Sequence, residues 1–151
     1  IGLDSPAGVQ GRDMSPALRG VAMNVEDAVL LSCYVPFGQW QPKVGGREFR
    51  GLRTARYTYT RSLDGPWLLF DNHTDPFQST NLVASEGHAH VVRELESKLD
   101  TLLARIGDPF QSADECLARW GYLVNKDRTT PTANFPSEID LDRYRPVTYW
   151  K

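Results

Sequence analysis

The residues of this 151-residue chain best suited to hold a charged group lie between positions 43 and 61. There Lys43, Arg47, Arg50, Arg53, Arg56 and Arg61 are interleaved with Phe49, Tyr57 and Tyr59. Arginine offers a planar fork of N–H donors that matches a sulfate, phosphate or carboxylate in bidentate fashion. Side chains alternate along a strand, so these arginines divide between two faces. Two readings stand side by side: at least one of them seats an anion, or the set is a solvated edge whose aliphatic stems cover aromatic rings. Just upstream, the stretch 36–48 contains Gly38, Pro42, Gly45 and Gly46 and must be a long loop; it also carries Gln39, Trp40, Gln41, Lys43 and Arg47. Long loops in compact domains are often functional. An indole can stack on a sugar or aryl ring, and a neighbouring cation can take an attached anion. Lys43, Arg47 and Arg50 are therefore candidate anion-binding residues, with Trp40 beside them in sequence as a candidate ring-binding one. The alternative for Trp40 is a surface loop with the ring folded onto the sheet.

Other chemistry-bearing residues read more plainly as structure. Cys33 lies in the apolar run 28–35, with no histidine near it in sequence, and suits a buried structural position, as does Cys116. His88 and His90 suggest a metal pair, but two positions apart on a helix they point about 200° away from each other. Asp71, Asn72 and Asp75 are oxygen ligands of the kind calcium takes, yet their spacing fits no EF-hand loop. Asp and Asn also make turns through local backbone hydrogen bonds. Asn72-His73-Thr74 fits the short glycosylation sequon. Phosphate-loop, dinucleotide, nucleophile-elbow and HExxH motifs are absent, so the sequence predicts neither a catalytic residue nor a metal ligand in this chain.

The elements that must position these residues follow from periodicity and punctuation. Ser15-Pro16 starts a short helix, with Ser15 as cap, and Gly20 ends it. The apolar run 28–35 is a strand closed by Pro36. Residues 49–54 and 57–61 form a hairpin about Ala55-Arg56, although that turn lacks Gly or Asn. A turn at 63–66 leads to a third strand of the block over 67–70. The long helix spans 86–106: Val91, Val92, Leu95, Leu99, Leu102, Leu103 and Ile106 share one face, Ser85 caps its start and Gly107 its end. A shorter helix at 113–122 directs Leu117 and Trp120 inward. From 123 to 151 the chain is polar, broken by prolines, and expected to be extended. The predicted fold class is α+β: a small antiparallel sheet of about four strands packed against the long helix, with extended terminal segments.

Composition sets the outer bounds. A formal net charge of −2 gives no global pull toward nucleic acid or an anionic membrane, so neither is expected as a partner. No apolar run approaches the ~20 residues of a membrane helix. The start at Ile1 rather than Met leads to the expectation that the natural chain extends further upstream, where any targeting signal would lie.

Three runs together resemble a known family. Phe49-Arg50-Gly51-Leu52-Arg53-Thr54-Ala55-Arg56-Tyr57-Thr58-Tyr59 resembles a segment near the C-terminus of formylglycine-dependent (type I) sulfatases, in the alkaline phosphatase-like superfamily. Phe49 stands where a Trp is usual and Thr58 where a Lys is usual. The run from Trp67-Leu68-Leu69-Phe70-Asp71 through Asp75-Pro76-Phe77-Gln78 to Asn81-Leu82 is similar to the family's next motif, with Gln78 in place of Glu. Gly11-Arg12-Asp13-Met14-Ser15-Pro16-Ala17-Leu18-Arg19-Gly20 resembles the run that closes its catalytic domain. The resemblance implies that residues 1–24 end the catalytic domain, 25–122 form the C-terminal subdomain and 123–151 form a tail. It also implies a sulfuric ester hydrolase as parent, with a formylglycine nucleophile and Ca2+ (or Mg2+). Neither Cys33 nor Cys116 begins the C/S-x-P-x-R motif from which formylglycine is made. Nucleophile and metal ligands are thus expected in the missing N-terminal catalytic domain of the same polypeptide, which is the implied partner beside a sulfated substrate. Trp40, with Lys43 or Arg47, is expected to reach toward that domain. Localisation stays open, a periplasmic or secreted parent being one reading. The competing function is a free-standing module that binds an anionic glycan or nucleic acid through the arginine-rich hairpin; a third is a purely structural domain.

Overall fold

The computed structural model describes residues 13–23, 27–36, 40 and 42–122. Helix α1 (Ser15–Leu18) precedes strand β1 (Ala28–Cys33). Strands β2 (Phe49–Thr54), β3 (Tyr57–Ser62) and β4 (Gly65–Asp71) follow, then helices α2 (Ala89–Ile106) and α3 (Ala113–Trp120). Short 3-10 turns occupy Pro42–Val44 and Glu86–His88. The four strands pair in sequence order, all antiparallel. The α+β class and the sheet-and-helix order expected from the sequence are what the chain adopts.

The hairpin between β2 and β3 turns without Gly or Asn because a side chain supplies the missing geometry. The Thr54 hydroxyl accepts from the backbone N–H of Arg56 and of Tyr57, at 3.3 and 2.8 Å, so the threonine closes the turn locally. Gly51, at the centre of β2, permits a close approach. A Cβ there would lie 2.3 Å from the Tyr59 carbonyl oxygen and 2.7 Å from the Thr60 methyl group.

Alternation sends Leu52, Tyr59 and Leu69, which are fully buried, to one face of the sheet. The apolar stripe of α2 closes over them: Val91, Val92, Leu95, Leu99, Leu102 and Leu103 join the same core, with Ala28 and partly buried Leu30 and Tyr57. Gly107 then takes a left-handed conformation (φ +68°) and ends the helix. The expected packing of the long helix on the sheet is what forms, with Leu69 of β4 facing the helix.

Several local expectations are corrected. Ser15 lies inside the first helical turn, whose N-cap position is Met14 without a side-chain cap, and the Asp13 carboxylate accepts from the Ser15 backbone N–H and hydroxyl. Strand β1 stops at Cys33, two residues early. Ser85 spends its hydroxyl on His88 Nδ1 (3.0 Å), and α2 begins at Ala89 without a side-chain cap. Ile106 is 52% exposed and Trp120 67% exposed, both outside the core. Helix α3 opens with a capping box between Ser112 and Glu115. The expected extended tail (123–151) and the N-terminal stretch 1–12 lie outside the described residues.

Candidate functional site

The sheet face opposite α2 carries Val29, Leu31 and Cys33 from β1, Phe49, Gly51 and Arg53 from β2, Thr58, Thr60 and Ser62 from β3, and Leu68 and Phe70 from β4. None of these side chains enters the core beneath α2. Val29 is 66% exposed, while Leu31, Phe49, Leu68 and Phe70 are half-buried.

A change of register shapes one end of this face. Between Thr60 and Arg61 the pairing with β4 slips, so that Thr60 faces Leu68 but Arg61 faces Pro66. Trp67 is the extra residue, and a bulge of this kind re-aims a side chain. Its ring meets Phe49 at 5.9 Å between centroids. Trp40 stacks on Trp67 at 6.0 Å with 26° between planes, and the Arg47 guanidinium lies 4.8 Å from the Trp67 centroid. The structure thus gathers Trp40 and Arg47 on a tryptophan that sequence reasoning had treated only as strand. Lys43 sits exposed in the intervening 3-10 turn Pro42–Val44.

Arg50, the fourth candidate, is committed to the interior. It is fully buried on the α2 side of the sheet. Its Nε donates to Asp108 Oδ2 at 2.6 Å and its Nη2 to Oδ1 at 3.4 Å; its Nη1 donates to the carbonyls of Phe49 (2.9 Å) and Cys33 (3.2 Å). Its guanidinium carbon lies 3.7 Å from the Tyr34 ring centroid and 4.8 Å from that of Phe110. The Tyr34 hydroxyl donates to the same carboxylate at 2.9 Å. Burial alone would raise the Asp108 pKa, but donation from Arg50, the Phe110 N–H and Tyr34 outweighs it and holds the carboxyl below its ordinary value. This arginine is a tie between the sheet and the chain beyond α2.

The remaining arginines are partnered in similar ways. Arg56 pairs with buried Asp71 (2.8 Å), which also accepts from the His73 N–H; these contacts, Arg56 foremost, lower the Asp71 pKa. Arg61 pairs with Asp100 of α2 (2.7 Å), and Arg53 donates to Thr58 (3.3 Å). Asn72 accepts from Thr58 and Gln78, the residue standing where the motif usually has Glu. The 71–75 cluster is therefore a strand-end turn, as its residue types suggested. Among the described residues no three His, Cys, Asp or Glu side chains are grouped to hold a metal ion. Cys33 and Cys116 are both free, and burial pushes both thiols up, away from the thiolate a nucleophile needs. A groove of about 430 Å³ between Tyr34, Val35, Cys116, Leu117, Trp120 and Tyr122 went unforeseen; no charged side chain lines it.

This sheet, helix and motif order recur in known proteins. No protein-family model matches the chain. The chain is 32% identical over 123 residues to an ulvan-active sulfatase of Formosa agariphila, covering 82% of this chain and 24% of that protein. It is 39% identical over 67 residues to an endo-4-O-sulfatase of Bacteroides thetaiotaomicron, covering 40% of this chain and 13% of that one. A solved 2-O GAG sulfatase superposes with a TM-score of 0.58 over 76% of this chain and 25% of its own, at 24% identity, a likeness of fold alone. The chain is a homologue of the sulfatases, over the portion that the sequence motifs mark as their C-terminal subdomain. It spans about a quarter of the length of the first of these relatives.

Proposed function

We propose that this chain is the C-terminal part of a sulfuric ester hydrolase, completing that enzyme's fold and helping to line its substrate cleft. The observation that carries the reading is the match to sulfatases over 82% of this chain and 24% of one relative. The C/S-x-P-x-R motif from which the formylglycine nucleophile is made does not occur in this sequence. The formylglycine and the Ca2+ (or Mg2+) expected of a sulfatase belong, on this reading, to the catalytic portion of a longer polypeptide, and no step is assigned to them here.

The physical argument for fold completion is the sheet. Its first face is buried by α2, whereas Val29, Leu31, Leu68 and Phe70 present apolar surface on the second. A sheet apolar on both faces is stable when both are covered. The occupant we assign to the second face is the catalytic portion, since the ulvan-active sulfatase carries some three-quarters of its length beyond the matched region. Trp40, Lys43 and Arg47 stand at one end of that face and are proposed to border the cleft; Arg50 is fully buried against Asp108 and out of a ligand's reach. The competing hairpin module for anionic glycan or nucleic acid is disfavoured because Arg50, Arg56 and Arg61 are each satisfied by an aspartate.

The deciding experiment is on the longer reading frame. A polypeptide carrying C/S-x-P-x-R upstream of Ile1 should hydrolyse an aryl sulfate, and should lose both activity and solubility when residues 25–122 are deleted. A frame without that motif, or a deletion that leaves the enzyme unaffected, would overturn the proposal.

A further inference from the structure

The geometry at the Trp67 bulge points to a binding subsite: we propose that Trp40, stacked on Trp67, seats a sugar ring that bears a sulfate group, with Arg47 over the same Trp67 ring and Lys43 in the turn between Trp40 and Arg47 in sequence. This rests on the sulfatase reading above and adds to it the residues and chemistry of one ring-binding position. Trp40 is 42% exposed although a second indole holds it in place. One of its faces is satisfied by Trp67, which is itself braced by Phe49 and Arg47. A tryptophan folded down merely to bury its ring would shed more of its surface; this one is fixed in direction and still open.

Indole faces carry negative charge in their quadrupole, and the C–H groups along one side of a pyranose carry the complementary partial positive charge. A flat, pre-oriented indole therefore takes such a ring with little loss of side-chain freedom. The ring alone gives no preference for a sulfated sugar. That comes from Arg47, whose charge is held over Trp67 with no carboxylate partner among the described residues, whereas Arg50, Arg56 and Arg61 each have one. A guanidinium kept on an aromatic face can turn its edge to a sulfate oxygen pair. Lys43, exposed in the preceding turn, adds a second positive charge. The position also fits: the cluster stands where the proposed docking face ends, and ligand clefts favour such seams between parts of a protein.

The test is titration calorimetry on the 151-residue chain with a monosulfated disaccharide, its unsulfated counterpart and inorganic sulfate. The sulfated disaccharide is expected to bind tightest and inorganic sulfate to give no measurable heat at the same concentration. Trp40→Ala should weaken binding of the sulfated disaccharide by about tenfold, and Trp40→Phe, which keeps a ring, should restore most of it. Arg47→Gln should cost about tenfold for the sulfated disaccharide and little for the unsulfated one. Absence of heat with both disaccharides overturns the subsite, as does wild-type affinity in Trp40→Ala and Arg47→Gln, or sulfate binding as tight as the sugar. Aryl sulfate turnover by the longer polypeptide is scored separately. A chain that binds no sugar within a polypeptide that turns over aryl sulfate removes this subsite and leaves the sulfatase reading standing.

Discussion

Arg50 and Arg47 lie three positions apart in one basic run, yet the fold gives them opposite uses. Arg50 is enclosed by Tyr34, Phe110 and Asp108, while Arg47 lies over Trp67 with no carboxylate partner among the described residues. What separates them is a carboxylate 58 residues away, and no local pattern in the sequence points to it. Because both members of the Arg50–Asp108 pair are almost wholly buried, removing one leaves a charge stranded. Asp108→Ala should therefore cost about 3–5 kcal/mol in urea-unfolding experiments. The pH dependence has a definite sign. The folded pKa of Asp108 lies below its unfolded value, so its contribution is complete above the ordinary aspartate range near 3.9 and is lost as pH falls through the lower folded value. Asp108→Asn should consequently show a shallower acid limb below about pH 4 than the wild type in a stability-versus-pH series. Parallel acid limbs would mean that the pair contributes nothing to folding.

At the scale of elements, the sequence was most legible where one periodicity ran uninterrupted. The α2 stripe from Val91 to Leu103 and the alternation of Leu52, Tyr59 and Leu69 fixed sheet, helix and their contact together. It was least legible where a single residue changes direction. Nothing in Pro66-Trp67-Leu68 announces the slipped register that turns Trp67 toward Phe49, and this bulge creates the candidate site. The ends of helices were blurred for a related reason: a nearby carboxylate such as Asp13 can take up the hydroxyl of an expected cap such as Ser15, and a last-turn residue such as Ile106 needs a neighbour to be buried. Two substitutions probe the contact between elements. Leu99, fully buried on the sheet-facing stripe of α2, should cost about 2–5 kcal/mol on change to Ala, read from the denaturant midpoint. Gly51→Ala inserts a methyl group against the backbone of β3, which cannot swing away as a side chain would. It should destabilise by about 1–3 kcal/mol, with amide exchange accelerated first in β2 and β3. A neutral Gly51→Ala would show that the two strands part more easily than their spacing implies.

Among the described residues, the long helix covers one face of the sheet, while the other keeps Val29 exposed and Leu31, Leu68 and Phe70 half-buried. The sulfatase motifs made the fold and the family legible, because they record how strands and turns are built; they do not record which side chains border a ligand. An isolated chain of this kind should give no aryl sulfate turnover above buffer, since no nucleophile motif is present. The second face of the sheet offers a sharper test, because its environment should differ between this chain and a longer polypeptide. Val29 is 66% exposed, on an edge strand, pointing away from α2. In the 151-residue chain, Val29→Arg replaces one solvent-facing side chain by another and should alter stability by no more than about 0.5 kcal/mol. In a polypeptide that carries the catalytic portion against this face, the same change forces a guanidinium into an apolar contact, where an unpaired charge costs several kcal/mol. Unfolding temperature measured on both forms separates the cases. A large drop in the longer form and none in the shorter places the catalytic portion on this face. Equal, small effects in both would mean that the second face stays in water, and that the apolar surface from Val29 to Phe70 is covered by something other than the remainder of the enzyme.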